Sequence, residues 1–457
     1  MIPNLTVHSK HSFGKRIAAN TGLMVGSKVT SVILGLGSIF IATKVLGQAE
    51  LGTILFLHAY MLFFSEVTAF QSWQSIIRFG MDDLKNDDAK GLARLMQFGL
   101  KVDALSAIFG YVISIGVFSG IVWVIHAFPT VFPQSEDMNI SEFRKLAAFY
   151  CILILLRQRG VGIGVFRLFD KFHVLAMHGI VMPITRFLGV VIAVMYGAGF
   201  TGFLLAWFFG SLTAYLFLPT LTILELKRRH LIKLVWRSQS SLRTPRKGLW
   251  PFMVKSNIDS TLAAMTHHLP AMLVMGVFGS AWVAIYKIAE ETAKLLSEGF
   301  KLLDQVIYPE LAKMVSLGEA AKIWKIVMRL ALILPTFGII MAMFVQFVGP
   351  AVLGYITTAD YEQSAPLSSL LILAAALLGI AAPLYPVLYA ADKPERAIYA
   401  RGTGVIVYIV SFICFSFTIG KMAPGWAAIL GNASAVVFLV FLAKRTLSRK
   451  VLEQSGE

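Results

Sequence analysis

Charged residues are scarce in this sequence, and cysteine is nearly absent. Asp, Glu, Lys and Arg together make up 14% of the chain, and Cys151 and Cys414 are its two cysteines. Both cysteines lie within apolar stretches, where a thiol packs as a small hydrophobic group. We therefore interpret them as plain packing residues.

Motifs for nucleotide binding and covalent catalysis are also missing. The stretch Gly26-Ser27-Lys28 lacks the spacing of a Walker A loop, so ATP is not expected to be the direct energy source. No HExxH or Cys/His cluster occurs, and the adjacent His267 and His268 point to different faces of a helix. The predicted outer loops are too short to carry the catalytic groups of a membrane glycosyltransferase or polymerase. We expect a protein that is not an enzyme and has no cofactor and no catalytic or structural metal.

Apolar residues, in contrast, dominate the chain. Hydrophobic residues make up 57% of the 457 residues, and the mean hydropathy is +0.73. Apolar runs of about 20 residues, the length that crosses a bilayer as a helix, recur throughout. This pattern predicts an all-α, polytopic membrane protein with about twelve transmembrane helices in two pseudo-symmetric six-helix lobes. The predicted spans lie near 18–43, 51–77, 96–127, 145–168, 174–197, 200–225, 250–278, 282–308, 324–347, 366–391, 398–419 and 424–443.

The two lobes are predicted to be 1–225 and 250–457, joined by a basic linker at 226–249. Aligning the halves places Glu66 opposite Glu298. Plans of six plus six helices are common among secondary transporters, in which the substrate path runs between the halves. The linker, with its basic KRRH and RTPRK stretches, is expected to lie on the cytoplasmic side and to contact anionic lipid headgroups.

The formal net charge of +16 is concentrated in loops of one side. Basic residues collect in the N-terminal tail, in the loops after even-numbered spans and in the C-terminal tail, as they do in cytoplasmic loops of inner-membrane proteins. The outer loops hold Lys44, Arg144, Lys145 and Lys421. We therefore expect a multi-pass protein of the bacterial inner membrane with both termini in the cytoplasm, an uncleaved first helix and no nucleic-acid partner.

The eighth predicted span is the exception to this apolar pattern. Ala281–Leu311 carries a charged stripe: Lys287, Glu290, Glu291, Lys294, Glu298, Lys301 and Asp304. A hydropathy window rejects the segment, yet every later basic and acidic loop falls on the correct side only if it crosses the membrane. Such charges are costly inside a bilayer, so we expect them to face a watery cavity or partner charges.

Further polar residues interrupt other spans. Lys28, Arg186, Lys255 and Asp259 are predicted to line the same cavity, and each taken singly also fits a structural ion pair or an interhelical hydrogen bond. Asp103, near a helix end, fits the structural role better. Arg78, Arg157 and Arg159 fall at the inner ends of spans 2 and 4, where they anchor the helices at the cytoplasmic surface or meet a phosphate group at the entrance.

Three motifs resemble one family. Trp73-Gln74-Ser75-Ile76-Ile77-Arg78-Phe79-Gly80 after span 2 looks like a motif of the Wzx-type polysaccharide flippases, which belong to the multidrug/oligosaccharidyl-lipid/polysaccharide exporter superfamily. The stretch 164–172 (GVFRLFDKF), followed by Pro183 and Arg186, resembles a second motif, and Tyr308-Pro309-Glu310-Leu311 is similar to a third. The resemblance covers essentially the whole chain and implies alternating access between two lobes, with spans 1, 2, 7 and 8 bordering the cavity. It assigns no role to the charged cavity residues.

These observations lead to one functional hypothesis with two alternatives. The first is a flippase that carries undecaprenyl-diphosphate-linked oligosaccharide repeat units outward for surface polysaccharide synthesis, including lipopolysaccharide or exopolysaccharide, coupled to an ion gradient. Membrane lipids, a polysaccharide polymerase and chain-length proteins are the expected partners of a monomer. The alternatives are a cation-coupled multidrug exporter of the same fold and a non-transporting scaffold of a polysaccharide assembly complex. The predicted substrate-binding residues are Lys28, Arg78, Arg186, Lys255, Lys287 and Lys294, and the predicted ion-coupling residues are Glu66, Asp259, Glu291 and Glu298.

Overall fold

The fold consists of long helices, and the computed structural model describes residues 13–127, 140–243, 246–316, 320–381, 384, 388 and 393–455. Within these residues, regular structure is helical throughout, so the predicted all-α class is confirmed. The helices are α1 (Phe13–Val45), α2 (Gln48–Val67), α3 (Ser72–Lys85), α4 (Ala89–Ala127), α5 (Ile140–Leu156), α6 (Gly160–Leu168), α7 (Phe172–Met195), α8 (Gly199–Arg228), α9 (Ile232–Arg237), α10 (Leu249–Ser316), α11 (Ala320–Ile356), α12 (Ser364–Ala381), α13 (Pro394–Thr418) and α14 (Ala423–Ser455).

Eleven of the described helical segments are long and apolar enough to cross a membrane. The predicted number was about twelve, and the difference arises because spans 7 and 8 are one element, α10. Gly279 divides α10 into a first limb (249–278) and a second limb (280–316), with a backbone conformation of φ 81° and ψ 179°. If α10 is counted as two helices, one on each side of this break, the number of helical segments becomes the predicted twelve.

The second limb of α10 folds back along the first. His267 and Glu290 would lie about 35 Å apart in a straight helix, since each residue advances the helix by about 1.5 Å. They instead lie close enough to interact electrostatically. The reversal depends on Gly279, because a residue with a Cβ is strongly disfavoured at these angles.

Two compact units make up the chain, Met1–Ala264 and Met265–Glu457, and the boundary between them falls within the first limb of α10. The predicted lobe limits at 225 and 250 divide the chain at a different place, and that division stays a prediction. In unit 1, α7 packs against α1 and α8, while α2 packs against α4 and α5.

An aromatic cluster forms the centre of unit 1. Tyr60 of α2 packs on Phe64 at 4.8 Å between ring centroids and edge-on to Phe118 of α4 at 5.7 Å. The Tyr60 hydroxyl donates a hydrogen bond of 2.5 Å to the carbonyl oxygen of Ser114. A second apolar core, which includes Ile76 and Val165, joins α3, α4, α6, α8, α9 and the start of α10 at one end of the unit.

Small residues bring the helices of unit 2 together. A Cβ placed on Gly404 of α13 would meet the Cβ of Ala435 at 2.9 Å and the carbonyl oxygen of Gly431 at 3.0 Å, both on α14. Asn432 of α14 donates a hydrogen bond of 2.7 Å to the carbonyl oxygen of Ala374 on α12. Close backbone approach and interhelical hydrogen bonds are the usual means of helix association in lipid.

Two predicted spans are each interrupted. Span 2 ends as α2 at Val67 and resumes as α3 at Ser72, with Gln71 in the left-handed conformation (φ 49°, ψ 46°). Span 4 ends as α5 at Leu156 and resumes as α6 at Gly160. The helices on either side of these two breaks pack in pairs, α2 on α5 and α3 on α6. We refer to residues 67–72 and 156–160 together as the break junction.

Replacing Gly279 with Ala should destabilise the protein by about 1–3 kcal/mol, because the φ and ψ of this position are accessible almost only to glycine. The thermal unfolding midpoint of the purified protein in detergent measures the effect. Gly276→Ala is the matched control: the position is helical, and an added Cβ meets no atom within 4 Å. The control should be neutral or stabilising by up to about 1 kcal/mol. An equal effect of the two substitutions would contradict the reversal at Gly279.

Candidate functional site

The break junction gathers opposite charges inside unit 1. Glu66, at the end of α2, accepts hydrogen bonds on Oε1 from Arg157 at 2.8 Å and from Arg159 at 3.3 Å. Arg157 also donates to Ser65 Oγ at 2.9 Å, and its side chain is only 4% exposed. One carboxylate therefore holds two arginines, and one of these is almost completely removed from solvent.

Asp103 of α4 connects the first turns of two helices. Its Oδ2 accepts a hydrogen bond of 2.9 Å from the hydroxyl of Ser72, which begins α3, and one of 3.2 Å from the backbone N–H of Val161, near the start of α6. Helix N-termini carry partial positive charge and free N–H groups, so a carboxylate is stabilised there. The structural role expected for Asp103 is consistent with this position.

Two backbone carbonyls freed by the first break accept hydrogen bonds from α10. Asn257 Nδ2 donates to the carbonyl oxygens of Val67 and Ala69 at 3.0 and 2.9 Å, and Thr261 donates to Val67 at 3.2 Å. Because unpaired carbonyls are costly away from water, these side chains stabilise the break. Thr68, Ala69, Phe70 and Gln71 contain neither glycine nor proline, so local sequence alone did not indicate it.

A small polar cavity lies at the break junction. Its walls include Ser65, Thr68, Gln71, Ser106 and Arg159, and its volume is about 40 Å³. This is enough space for a few water molecules, and the polar side chains in its walls offer them hydrogen-bond partners. Space that can hold water therefore lies next to the charges of the junction.

The first two sequence motifs meet beside this cavity. The guanidinium of Arg167 on α6 lies 4.3 Å from the centre of the Trp73 ring on α3. A Cβ on Gly164 would come within 2.8 Å of Ile76, so the absence of a side chain allows α3 and α6 to approach closely. The third motif, at 308–311, lies outside the residues whose side chains are described.

A separate polar group lies near the middle of α2, α5 and α7. His58 Nδ1 is 3.0 Å from the hydroxyl of Tyr150, and His58 Nε2 is 3.3 Å from Nη2 of Arg186. The guanidinium of Arg186 also stacks on the buried ring of Trp207 of α8 at 5.0 Å. Arg186 was a predicted substrate-binding residue, whereas His58 and Tyr150 were not predicted.

The charged stripe of α10 forms a second cluster, in unit 2. Lys287 donates to Glu290 Oε2 at 2.6 Å, and their side chains are 10% and 12% exposed. Lys294 donates to Glu291 Oε1 at 2.7 Å and lies 3.5 Å from Glu290 Oε1, with side chains of Lys294 and Glu291 that are 40% and 31% exposed. Glu290 thus lies between both lysines, and the cluster is buried at one end and accessible at the other.

Groups from neighbouring segments surround the buried end of this cluster. Tyr408 of α13, and His267 on the first limb of α10, interact electrostatically with Glu290. Trp282, one turn before the cluster, lies under the ammonium group of Lys421 at 4.6 Å. The partner charges expected from the sequence are therefore present, and they are largely on the same helix.

The other predicted site residues are dispersed. Lys28 on α1 and Lys255 on α10 are exposed, Asp259 is half-buried, and Arg78 on α3 is exposed and stacks on Phe252 at 4.7 Å. Glu298 belongs to α10 but lies outside the residues whose side chains are described. The structure therefore gathers Glu66 in one cluster and Lys287, Glu291 and Lys294 in another, and it leaves their assignment to substrate or ion binding as a prediction.

Arg157 and Arg159 of the break junction, and Asp103 beside it, were not among the predicted site residues. The sequence assigned Arg157 and Arg159 to anchoring or a phosphate contact at the cytoplasmic entrance, and Asp103 to a structural role. One feature of the sequence could have predicted their pairing. Glu66 in span 2 and the two arginines in span 4 are predicted to lie at the same depth in the membrane. Within the described residues, no group of three His, Cys, Asp or Glu side chains is placed to hold a metal ion.

The comparisons with known proteins agree with this architecture. No protein-family model matches the chain. The inner membrane protein YghQ of Escherichia coli (strain K12) is 25% identical over 359 residues, which cover 78% of this chain and 97% of that protein. An inward-facing multidrug resistance transporter of the MATE family, in the MOP superfamily, has a TM-score of 0.68 at 13% identity over 92% of this chain and 95% of its own. The lipid II flippase MurJ, in an inward closed conformation, has a TM-score of 0.64 at 14% identity, covering 94% and 90%.

The chain therefore has the fold of MOP-superfamily transporters and is a multi-pass membrane protein. The two solved structures are those of a multidrug resistance transporter and of a lipid II flippase. They include both exporters of drugs and a flippase of a lipid-linked precursor, so the likeness establishes the fold and leaves the substrate open.

Removing the carboxylate of Glu66 should destabilise unit 1. Glu66→Ala leaves the buried Arg157 without its ion partner, and breaking one side of a buried pair costs about 3–5 kcal/mol. The expected result is a lower thermal unfolding midpoint in detergent, and the loss in Glu66→Ala/Arg157→Ala should be smaller than the sum of the single losses. Glu50→Ala, at an exposed position on the same helix, is the control and should change the midpoint little. Additive effects of the two substitutions would argue against the pair.

Proposed function

We propose that this protein is a flippase that moves undecaprenyl-diphosphate-linked oligosaccharide repeat units from the cytoplasmic to the periplasmic leaflet of the bacterial inner membrane. The observation that carries the proposal is the cluster of Lys287, Glu290, Glu291 and Lys294, an ion network placed within an apolar unit and accessible at one end. The fold, which is similar to that of a lipid II flippase and of drug exporters, supports a transport role for such a network.

A diphosphate needs positive charge along its path. Moving it through the apolar part of a bilayer requires cations that replace the lost hydration. Lys294 is suited to this role because its ammonium group contacts two carboxylates, and a phosphate oxygen can substitute for Glu291 at comparable geometry. Lys287 is held by Glu290 in the buried part of the network. Its effect on the substrate is therefore indirect: it fixes the position of the Glu290 carboxylate, which in turn contacts Lys294.

The remaining predicted residues take further roles in the proposed transport cycle. Lys28, Arg78, Arg186 and Lys255 supply further cations, and the carboxylates Glu66, Asp259, Glu291 and Glu298 are the groups that exchange ions during the cycle. In this scheme the energy comes from an ion gradient, and both termini lie in the cytoplasm. A polysaccharide polymerase would receive the translocated units.

Lys294→Ala should lower polymer output of a complemented deletion strain at least about tenfold, the equivalent of one lost charge-assisted hydrogen bond of about 1.5 kcal/mol. Surface polysaccharide is measured together with the amount of inserted protein. Lys287→Gln/Glu290→Gln removes the buried charge pair while keeping its shape, and it should also lower output. Lys325→Ala, which removes an exposed cation of α11, is the control and should leave output unchanged.

Three results would contradict the proposal. Normal polymer in both test variants would remove these lysines from the mechanism. A deletion strain with normal polymer but increased drug susceptibility would identify an exporter. Purified protein that fails to move a fluorescent undecaprenyl-diphosphate-linked sugar in vesicles, while its deletion still blocks assembly, would identify a scaffold.

A further inference from the structure

Arg167 on α6 is a half-buried arginine whose side chain has no hydrogen-bond acceptor. Among the residues whose side chains are described, nothing accepts from its guanidinium, and its Nε is fully enclosed without a partner. Other enclosed arginines of unit 1 do have carboxylate acceptors: Arg157 donates to Glu66 at 2.8 Å, and Arg229 donates to Glu225 at 2.6 Å. Because an arginine carries five N–H donors and a permanent charge, one with no acceptor requires an explanation.

The described charges of unit 1 do not supply this explanation. Asp170 follows three residues later and has interactions of its own, but it forms no ion pair with Arg167, and no charged side chain among the described residues acts on the guanidinium. Arg167 lies in the last turn of α6, where the helix dipole favours a cation. The dipole stabilises the charge without accepting an N–H group. The donors of Arg167 therefore stay available for a group that the described chain does not provide.

The guanidinium of Arg167 is held in place by Trp73 on α3. Its central carbon lies over the Trp73 ring, 4.3 Å from the ring centre. The indole N–H of Trp73 donates a hydrogen bond of 2.6 Å to Gln71 Oε1, which fixes the ring. The two helices come this close because Gly164 has no side chain, since a Cβ there would meet Ile76 at 2.8 Å. The guanidinium is therefore positioned before any ligand arrives, and binding costs little side-chain entropy.

The open side of Arg167 suits a phosphate group. A guanidinium that lies over an aromatic ring uses its flat face, so its in-plane N–H groups remain available to two oxygens of a phosphate. Because Nε is enclosed, the accessible donors are those on the two Nη atoms. α6 ends one residue later, at Leu168, which places the group at the predicted cytoplasmic end of span 4. At that depth, the anionic groups of a membrane are the phosphates of lipid headgroups.

We propose that Arg167, supported by Trp73, is a binding site for the phosphate group of a lipid. The two Nη groups hold two phosphate oxygens in a bidentate pair. The identification of this phosphate as the diphosphate of a lipid-linked sugar rests on the proposed function, in which Arg167 meets the substrate in the cytoplasmic leaflet. An anionic phospholipid is the other source of the same chemistry.

Thermal unfolding in the absence of phosphate tests whether Arg167 lacks a partner in the protein. Arg167→Met removes every donor and the charge, but it keeps an apolar stem and a favourable contact with the Trp73 ring. In neutral detergent, the unfolding midpoint of the delipidated variant should equal or exceed that of the wild type, because no acceptor loses its donor. Arg157→Met, which removes a donor from Glu66 and Ser65, should lower the midpoint. Equal losses in the two variants would reveal a structural partner of Arg167 and overturn the proposal.

Lipid binding tests the site itself. Undecaprenyl diphosphate is titrated into protein in nanodiscs of phosphatidylcholine, and Arg167→Met should bind it about tenfold more weakly, the effect of one lost charge-assisted pair. Arg94→Met, which removes an exposed cation of α4, has the same net charge and should bind like the wild type. Arg167→Lys keeps the charge but lacks the planar fork, so it should recover only part of the affinity. Full recovery by lysine would contradict the bidentate geometry.

A second titration, with phosphatidylglycerol in place of undecaprenyl diphosphate, distinguishes the two sources of the phosphate. If Arg167→Met weakens the binding of phosphatidylglycerol alone, the site stands as a phospholipid site and its assignment to the substrate is wrong. If neither lipid loses affinity in Arg167→Met, or if Arg94→Met loses as much, the proposal is overturned.

Transport measurements separate the phosphate site from the proposed function. In vesicles that contain a fluorescent undecaprenyl-diphosphate-linked sugar, Arg167→Met should raise the substrate concentration for half-maximal flipping about tenfold, in line with the weaker binding. Arg167-dependent binding of undecaprenyl diphosphate without any flipping by the wild type would support the site and contradict the flippase. Flipping that is unchanged in Arg167→Met would contradict the assignment of the site to the transported diphosphate.

Discussion

Charge compensation within the chain is the constraint on which the rest of this structure depends. An ionised side chain inside an apolar segment is tolerated only beside a partner, a dipole or water. Glu66 meets this condition with Arg157 and Arg159, and Asp103 meets it with two helix N-termini. The two interrupted spans of unit 1 follow from the same requirement, because their breaks supply the backbone groups and the small cavity that the charges need.

The two clusters solve this problem in different ways. The break junction uses side chains that are far apart in the sequence, so its pairs form only when α2, α4, α5 and α6 are assembled. The cluster of α10 uses neighbours three or four positions apart on one helix, as in the pair Lys287–Glu290. A local cluster can rearrange without unpacking the unit, which suits a site whose partners change during a cycle.

Much of this architecture was predictable from the sequence, because hydropathy and the distribution of basic loops depend on one-dimensional patterns. The helical class and the positions of most spans were predicted correctly. The interruptions at 68–71 and 157–159 were not, since the first contains neither glycine nor proline and is stabilised by Asn257, almost two hundred residues later. The group of His58, Tyr150 and Arg186 was only partly predicted for the same reason: its members lie on three helices, and Arg186 alone is unusual in its own segment.

The short spacing of the ion pairs in α10 has a consequence for the insertion of the protein during synthesis. A segment with seven charged residues would ordinarily be rejected by the lipid, at about 2.5–3.5 kcal/mol for each charge near its centre. Pairs between Lys287 and Glu290 and between Lys294 and Glu291 form as soon as the helix does, before any other helix has arrived. Because Gly279 turns the chain back, the first limb enters beside the charged second limb, and the two can leave the insertion machinery as one hairpin. The charged helix can therefore be delivered into the membrane early, with two of its ion pairs already formed.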